Sequence, residues 1–333
     1  MDFANDLCNW YRATHRDLPW RRTRDPYRIW LSEIMLQQTR VAAVIPYYER
    51  FLSELPTVSD LAAVEDDRLM KLWQGLGYYS RAKNLKRAAI VIVERYGGRL
   101  PGSYRELLTL PGIGSYTAGA IASIAFGERV PAVDGNVLRV LSRLHDDPRD
   151  VTDPHTRADV FSALEKDFPA DAGTFNQAMM ELGATVCVPN GAPRCDVCPL
   201  RAGCLARQNG TVALRPVKAP KAGRAVEPMT VFVLRDGDRF LIRKRPDEGL
   251  LAGLYELPNV PTRLDPAAAA ACMSAFGVRP TGEITQYERT HIFTLKEWHM
   301  RVYACTVAPD EVPNLLWYDG TQSLPTAFGV CLK

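Results

Sequence analysis

Apolar residues recur every three to four positions along Val58–Leu72 and Leu85–Val93, which predicts amphipathic helices there. Ser103 precedes Tyr104-Arg105-Glu106-Leu107-Leu108 with Glu106 three residues on, the spacing of a capping box at a helix start. Strand-like alternation is scarce up to residue 185, so this stretch reads as a compact all-α region. After Met229 the period changes to two. Thr230–Leu234 and Arg239–Arg243 flank Asp236-Gly237-Asp238, a β-hairpin signature, and His299–Thr306 alternates again, whereas 265–276 reads as helix. Between the two regimes, 210–228 holds three prolines and four basic residues with little periodicity, the composition of a linker. The pattern therefore predicts a helical region followed by an α+β domain of about a hundred residues, with no internal repeat.

Composition narrows the class without changing this division. The chain has 333 residues, 47% apolar and 24% charged, which favours two globular domains over disorder, collagen or coiled coil. The longest apolar runs, such as Ala88–Val93, are too short to span a bilayer, and Met1–Asp6 lacks the features of a signal peptide, so a cytoplasmic location is expected. A net charge of +3 points to no partner by itself. Local clusters do: Arg12, Arg16, Arg21, Arg22, Arg24 and Arg28 stand against only Asp17 and Asp25, and Arg81, Lys83, Lys86 and Arg87 face no acid within 81–87. Such clusters suit phosphate contact, with a solvated helix face as the alternative.

Three constellations could carry chemistry. Leu110-Pro111-Gly112-Ile113-Gly114 lies between the capped helix 103–109 and a small-residue helix 115–126. Its glycines permit a tight turn that points amides outward at a helix N-terminus, a site for one DNA phosphate; a plain helix–helix corner is the alternative. Val133-Asp134-Gly135-Asn136-Val137 follows, where an acid beside glycine serves equally well as a turn or N-cap. Glu33 sits within Trp30-Leu31-Ser32-Glu33-Ile34-Met35-Leu36-Gln37-Gln38-Thr39, a strongly apolar helix. If buried, its pKa rises and it becomes a proton donor near neutrality; on an exposed helix face it does neither.

Four of the eight cysteines fall close together: Cys187-x7-Cys195-x2-Cys198-x5-Cys204. In a cytosolic chain this density argues for metal rather than disulfides. Structural zinc sites usually pair two Cys-x-x-Cys knuckles, and only one is present, so a [4Fe–4S] cluster fits better than zinc.

Taken in order, these motifs resemble the adenine DNA glycosylase (MutY-type) family of the endonuclease III, helix-hairpin-helix superfamily. The resemblance implies a two-lobed helical glycosylase domain with an iron–sulfur loop and a C-terminal α+β Nudix-like domain. The expected boundaries are 1–209, with the hairpin motif at 103–126 and the cluster loop at 187–204, then a linker at 210–228 and the second domain at 229–333. It further implies a DNA repair enzyme that removes adenine mispaired with 8-oxoguanine or guanine in double-stranded DNA, acting as a nucleoid-associated monomer without contact to membranes. Glu33 and Asp134 match the family's catalytic pair, and Asn136 an asparagine beside it. Gln38 and Tyr78 match residues wedged into the duplex, and Trp20, Arg21 and Gln177 the adenine pocket. Leu110, Gly112 and Gly114 match the phosphate-binding hairpin, and Cys187, Cys195, Cys198 and Cys204 the cluster ligands.

Departures refine this. Bifunctional relatives carry a Schiff-base lysine two residues after the hairpin's last glycine; here Tyr116 stands there, so lyase activity is expected to be absent or weak, and the resemblance places this tyrosine in the catalytic site near Asp134. The first cysteine spacing is seven where many relatives have six. The family's Phe-Ser-His lesion-reading loop aligns with His291-Ile292-Phe293-Thr294-Leu295. Thr294 keeps the hydroxyl, Phe293 the aromatic, and Leu295 replaces the histidine; simple packing within the second domain is the alternative for this segment. Gly249–Pro258 looks like the start of a Nudix module, but no acidic metal box follows in 259–271, so pyrophosphohydrolase activity is not expected.

Overall fold

The computed structural model describes residues 3–220, 223–308, 310 and 312–333. In chain order the α-helices are α1 (Ala4–Thr14), α2 (Pro26–Leu36), α3 (Val41–Glu54), α4 (Val58–Ala63), α5 (Asp66–Trp73), α6 (Ser80–Tyr96), α7 (Tyr104–Leu107), α8 (Ser115–Phe126), α9 (Gly135–Leu144), α10 (Pro154–Lys166), α11 (Ala172–Thr185), α12 (Leu205–Gln208), α13 (Pro266–Ala275) and α14 (Thr326–Gly329). Seven strands follow α12: β1 (Ala225–Asp236), β2 (Arg239–Lys244), β3 (Tyr255–Glu256), β4 (Asn259–Val260), β5 (Thr285–Ile292), β6 (Lys296–Thr306) and β7 (Leu316–Trp317). Two compact units result, one from residues 1–63 and 83–220, the other from 64–82 and 221–333. Among the described residues no helix is long and apolar enough to cross a membrane.

The first unit is helical throughout. Asp25, Asp153 and Asp171 start α2, α10 and α11 as N-caps, the first two with proline in the first turn. The expected periodic run 58–72 is two helices, interrupted before Glu65, the residue that opens α5. Helix α8 runs over the expected 115–126 and packs against α2 and α11. Small side chains permit that approach: a Cβ on Gly173 would lie 2.8 Å from the Ser123 carbonyl oxygen. The capping box at Ser103 forms, its side chain accepting from the Glu106 amide.

The second unit is a sheet in the order β3-β2-β1-β6-β5, with β4 pairing β1 and β7 pairing β2. Strand β1 runs parallel to β6, and both its faces are covered. Met229, Val231 and Val233 meet Trp298, Met300 and Phe328 on one side, while Phe232 and Leu234 meet Met273 and Tyr303 on the other. The hairpin forms as expected, with Asp236 opposite Arg239. The expected linker is shorter than its composition indicates, because Ala225–Pro228 already pair with Lys296–His299; Lys221 and Ala222 lie outside the described residues. Glu256, in the Nudix-like segment, is buried with Arg243 at 2.7 Å and Arg245 on its other oxygen. Both oxygens are thus committed to guanidinium groups.

Residues 64–82 join this second unit, which a division in chain order does not anticipate. Asp67 accepts from Lys244 (3.2 Å) and from the Tyr255 hydroxyl (3.0 Å), and Lys71 donates to the Gln322 carbonyl (3.2 Å).

Candidate active site

A cleft of about 720 Å³ opens in the first unit, and its walls converge from several elements. Helix α2 contributes Glu33, the N-terminus of α8 contributes Gly114 and Tyr116, the start of α9 contributes Asp134 and Asn136, and α11 contributes Gln177. A 3₁₀ turn at Pro19–Arg21 adds Trp20 and Arg21, and Gln38 lines the rim of the same space.

Glu33 is 6% exposed, which decides between its two readings in favour of the buried one. Burial lifts its pKa from 4.5 to about 7, against the pull of the Tyr116 hydrogen bond and the Arg21 charge and with the help of the Asp134 charge. The Tyr116 hydroxyl donates to Glu33 Oε2 at 2.6 Å and lies 2.9 Å from Met180 Sδ. Burial beside two carboxylates holds that phenol well above its ordinary pKa, so it stays a donor.

Asp134 is an N-cap and a cleft residue at once. Its Oδ1 accepts from the amides of Asn136 and Val137, both at 2.8 Å, and its Oδ2 from Asn136 Nδ2 at 2.6 Å. Burial raises its pKa, and these donors oppose the rise. Asn136 is held in turn by Arg139, whose NH2 donates to Asn136 Oδ1 and to the Gly183 carbonyl, both at 2.8 Å, while Nε donates to the Cys187 carbonyl at 2.8 Å. A buried and a half-buried carboxylate thus share a cleft, the first with a single hydroxyl donor and the second with three N–H donors. That asymmetry is what an acid and an anion acting on one substrate require.

The hairpin turn is tight and needs its first glycine. Gly112 has φ +74, and any Cβ there would sit 2.6 Å from Asn84 Cβ. Gly114, which has no side chain, is the N-cap residue of α8. Leu110 is a buried core residue below the turn.

The structure does not bring every anticipated residue to the cleft. Tyr78, Phe293 and Thr294 belong to the second unit, where Tyr78 OH lies 2.7 Å from Thr294 Oγ1. Gln38 and Tyr78 share an uncommon backbone, with φ of +57 and +49. Phe293 is packed edge-on against Trp298 (4.8 Å) and His291 (4.6 Å), while Leu295 is 78% exposed. The arginine cluster near the N-terminus is largely neutralised: Arg12 pairs with Asp171, Arg16 and Arg21 with Glu181, Arg22 with Asp17, and Arg28 with Asp25. Glu181, Arg139 and Met180 escaped the sequence reading. Glu181, an acid within the apolar run Phe175–Gly183, carried the same signal as Glu33.

Cys187, Cys195, Cys198 and Cys204 surround one small cavity together with Arg143, Arg201 and Arg207. Arg143 NH1 lies 3.3 Å from Cys187 Sγ, and the Arg143 carbonyl lies 3.4 Å from Cys204 Sγ. Four thiols ringed by cations fit the negative charge of a thiolate-ligated iron–sulfur cluster. Among the described residues no group of three or more His, Cys, Asp or Glu is arranged around a single metal ion.

Comparison with known proteins agrees with this geometry. Residues 31–166 match the HhH-GPD superfamily of base excision DNA repair proteins, and 230–330 match the NUDIX domain. The chain is 40% identical to an adenine DNA glycosylase of Arabidopsis thaliana, over 76% of this chain and 46% of that protein. It is 34% identical to one of Buchnera aphidicola (79% and 76%) and 31% identical to one of Schizosaccharomyces pombe (99% and 87%). The chain spans only about half the length of several relatives it matches, those of Arabidopsis thaliana and of mammals. Among solved structures, a thermostable thymine-DNA glycosylase is similar at 29% identity and a TM-score of 0.57, covering 62% of this chain and 96% of its own. A non-covalent endonuclease III–DNA complex follows at 25% and 0.53, covering 62% and 94%. A helical HhH-GPD domain followed by a sheet-containing Nudix-like domain, with such identities running across both, places the chain in the adenine DNA glycosylase family.

Proposed function

We propose that this chain hydrolyses the N-glycosidic bond of adenine paired with 8-oxoguanine or guanine in duplex DNA, without cleaving the strand. The observation that carries the reading is the pairing of Glu33 and Asp134 in one cleft, differently hydrogen-bonded.

The bond to be broken is inaccessible inside a stacked duplex, so adenine must be rotated out into the cleft. With a pKa of about 7, Glu33 is protonated in a large share of molecules at neutral pH. It donates that proton to a ring nitrogen of the base, which turns adenine into a neutral leaving group. The sugar develops oxocarbenium character, and anionic Asp134, fixed by its three N–H donors, stabilises it. Tyr116 then stabilises the Glu33 carboxylate through the same hydroxyl, and that carboxylate takes a proton from the attacking water. No lysine stands at the hairpin position to form a Schiff base with the sugar. Gly112, Gly114 and the first amides of α8 hold a backbone phosphate.

Cys187, Cys195, Cys198 and Cys204 would hold a [4Fe–4S] cluster, and its role there would be to order the 187–204 loop and its basic residues. Contact with the base opposite adenine is assigned to Gln38, Tyr78 and Thr294, of which Tyr78 and Thr294 are hydrogen-bonded to each other. A single-turnover assay on an 8-oxoguanine:adenine duplex, read with and without alkali, tests the whole. Free adenine with strand breaks only after alkali is expected. Breaks without alkali, or no release of adenine, would overturn the reading.

A further inference from the structure

Glu181 lines the cleft but has nothing to offer a ligand. It is 1% exposed, and its Oε1 accepts from the Arg16 amide (3.1 Å) and Arg16 Nε (2.8 Å). Its Oε2 accepts from Arg16 NH2 (2.6 Å) and Arg21 NH2 (2.7 Å). An ionised carboxylate has about four acceptor sites, so four donors saturate it. A flipped base finds no free lone pair there.

What Glu181 does control is Arg21. That guanidinium is tied on one side to Glu181 and on the other to the Arg16 carbonyl (3.1 Å), and it lies 5.3 Å from the Tyr11 ring centre. The Tyr11 hydroxyl donates to Gln177 Oε1 (3.0 Å), so the same cluster fixes the orientation of a second pocket residue. Two cations and one anion therefore stand in the pocket wall, with Arg21 within electrostatic reach of Glu33. The other ionisable groups around Glu33 are Tyr116 from α8, Asp134 at the start of α9 and, on the cleft wall, Arg157 from α10.

We propose that Glu181 is a positioning residue for the base pocket, seating Arg21 at the cleft wall and balancing its charge within reach of Glu33. The inference rests on the reading of Glu33 as proton donor. Its electrostatic consequence has a sign. Removing the Glu181 charge leaves Arg21 uncompensated, stabilises the Glu33 carboxylate and moves the loss of excision rate to lower pH. Removing the Arg16 charge leaves Glu181 in excess, and the loss moves to higher pH.

Single-turnover excision by the full chain on an 8-oxoguanine:adenine duplex, from pH 5.5 to 8.5, reads both. The ratio of rates at pH 8 and pH 6 should fall at least about threefold in Glu181→Gln and rise at least about threefold in Arg16→Met. A purely structural role would lower the rates evenly across pH. Unchanged ratios, or shifts of the same sign in the two variants, overturn the proposal. Should Glu181→Gln not fold, Arg16→Met decides alone by the presence or absence of its upward shift. Glu33→Gln, run alongside, separates the two readings. An inactive Glu33→Gln with unmoved ratios refutes only the role of Glu181, whereas an active one removes the proton donor and this inference together.

Discussion

Replacing Glu33 by glutamine should inactivate the protein and stabilise it at once. Burial lifts the Glu33 carboxyl from 4.5 to about 7. At about 1.4 kcal/mol per pKa unit, the ionised side chain costs the folded chain about 3 kcal/mol. The folded state holds the proton more tightly than the unfolded state. The stability this gives is therefore fully present below about pH 4.5, where both states are protonated, and is lost progressively as pH rises through about 7. Glutamine keeps an acceptor for the Tyr116 hydroxyl and does not titrate. Its advantage over wild type should thus grow by about 2–3 kcal/mol between pH 5 and pH 8. At roughly 2–4 °C per kcal/mol for a unit of this size, the melting-temperature gap should widen by about 5–10 °C over that range. Excision should meanwhile fall by about 10²–10⁴-fold, the usual worth of a general acid. Thermal melts of both proteins at four pH values, with single-turnover assays beside them, make the comparison. A melting-temperature gap that does not change with pH would show that Glu33 is not a buried acid, whatever the assay gives.

Three further outcomes follow from the site. Tyr116→Lys places an amine where bifunctional relatives have theirs, and borohydride should then trap a covalent protein–DNA adduct; no adduct would mean that the cleft around Glu33, not the missing amine alone, decides the chemistry. Purified protein should carry about four iron atoms per chain, and Cys198→Ser should lower iron content and DNA affinity; one zinc and no iron would refute the cluster. Gly183→Ala introduces a Cβ 2.6 Å from Asn136 Cβ and 3.3 Å from Arg139 NH2. It should cost about 1–3 kcal/mol of stability and reduce excision at least tenfold by displacing the donor on Asp134, with wild-type kinetics showing instead that the Asp134 cap is indifferent to its support.

The parts of this protein that were legible in the sequence are those whose cause is local. The Ser103–Glu106 capping box, the small residues of α8, the Gly112 turn and the β1–β2 hairpin each depend on a few neighbouring residues. Strand β5 gave no signal because its residues alternate between exposed and only half-buried positions, and its partner β6, not its own apolar pattern, holds it in the sheet. The burial of Glu33 was undecidable from its own helix, since the side chain's surroundings come from α8 and the start of α9. The arginines of residues 12–28 looked like a phosphate-binding patch because their acids lie far along the chain: Asp171 for Arg12, Glu181 for Arg16 and Arg21. Phe293 kept the family's residue type, yet its environment depends on Trp298 across the turn.

Helix α5 has a consequence for synthesis. Asp67 and Lys71 leave the ribosome early, but their partners Tyr255, Tyr318 and Gln322 come 188, 247 and 251 residues later. At about 5–20 residues per second, Lys71 waits roughly 12–50 s for its partners. During that interval the segment carrying Tyr78 has no sheet to pack on, although the helices that frame the cleft have already been made. The helices around the cleft are therefore made well before the strands that hold Tyr78, and a chain that stops short of its last strands loses the support of that residue along with them.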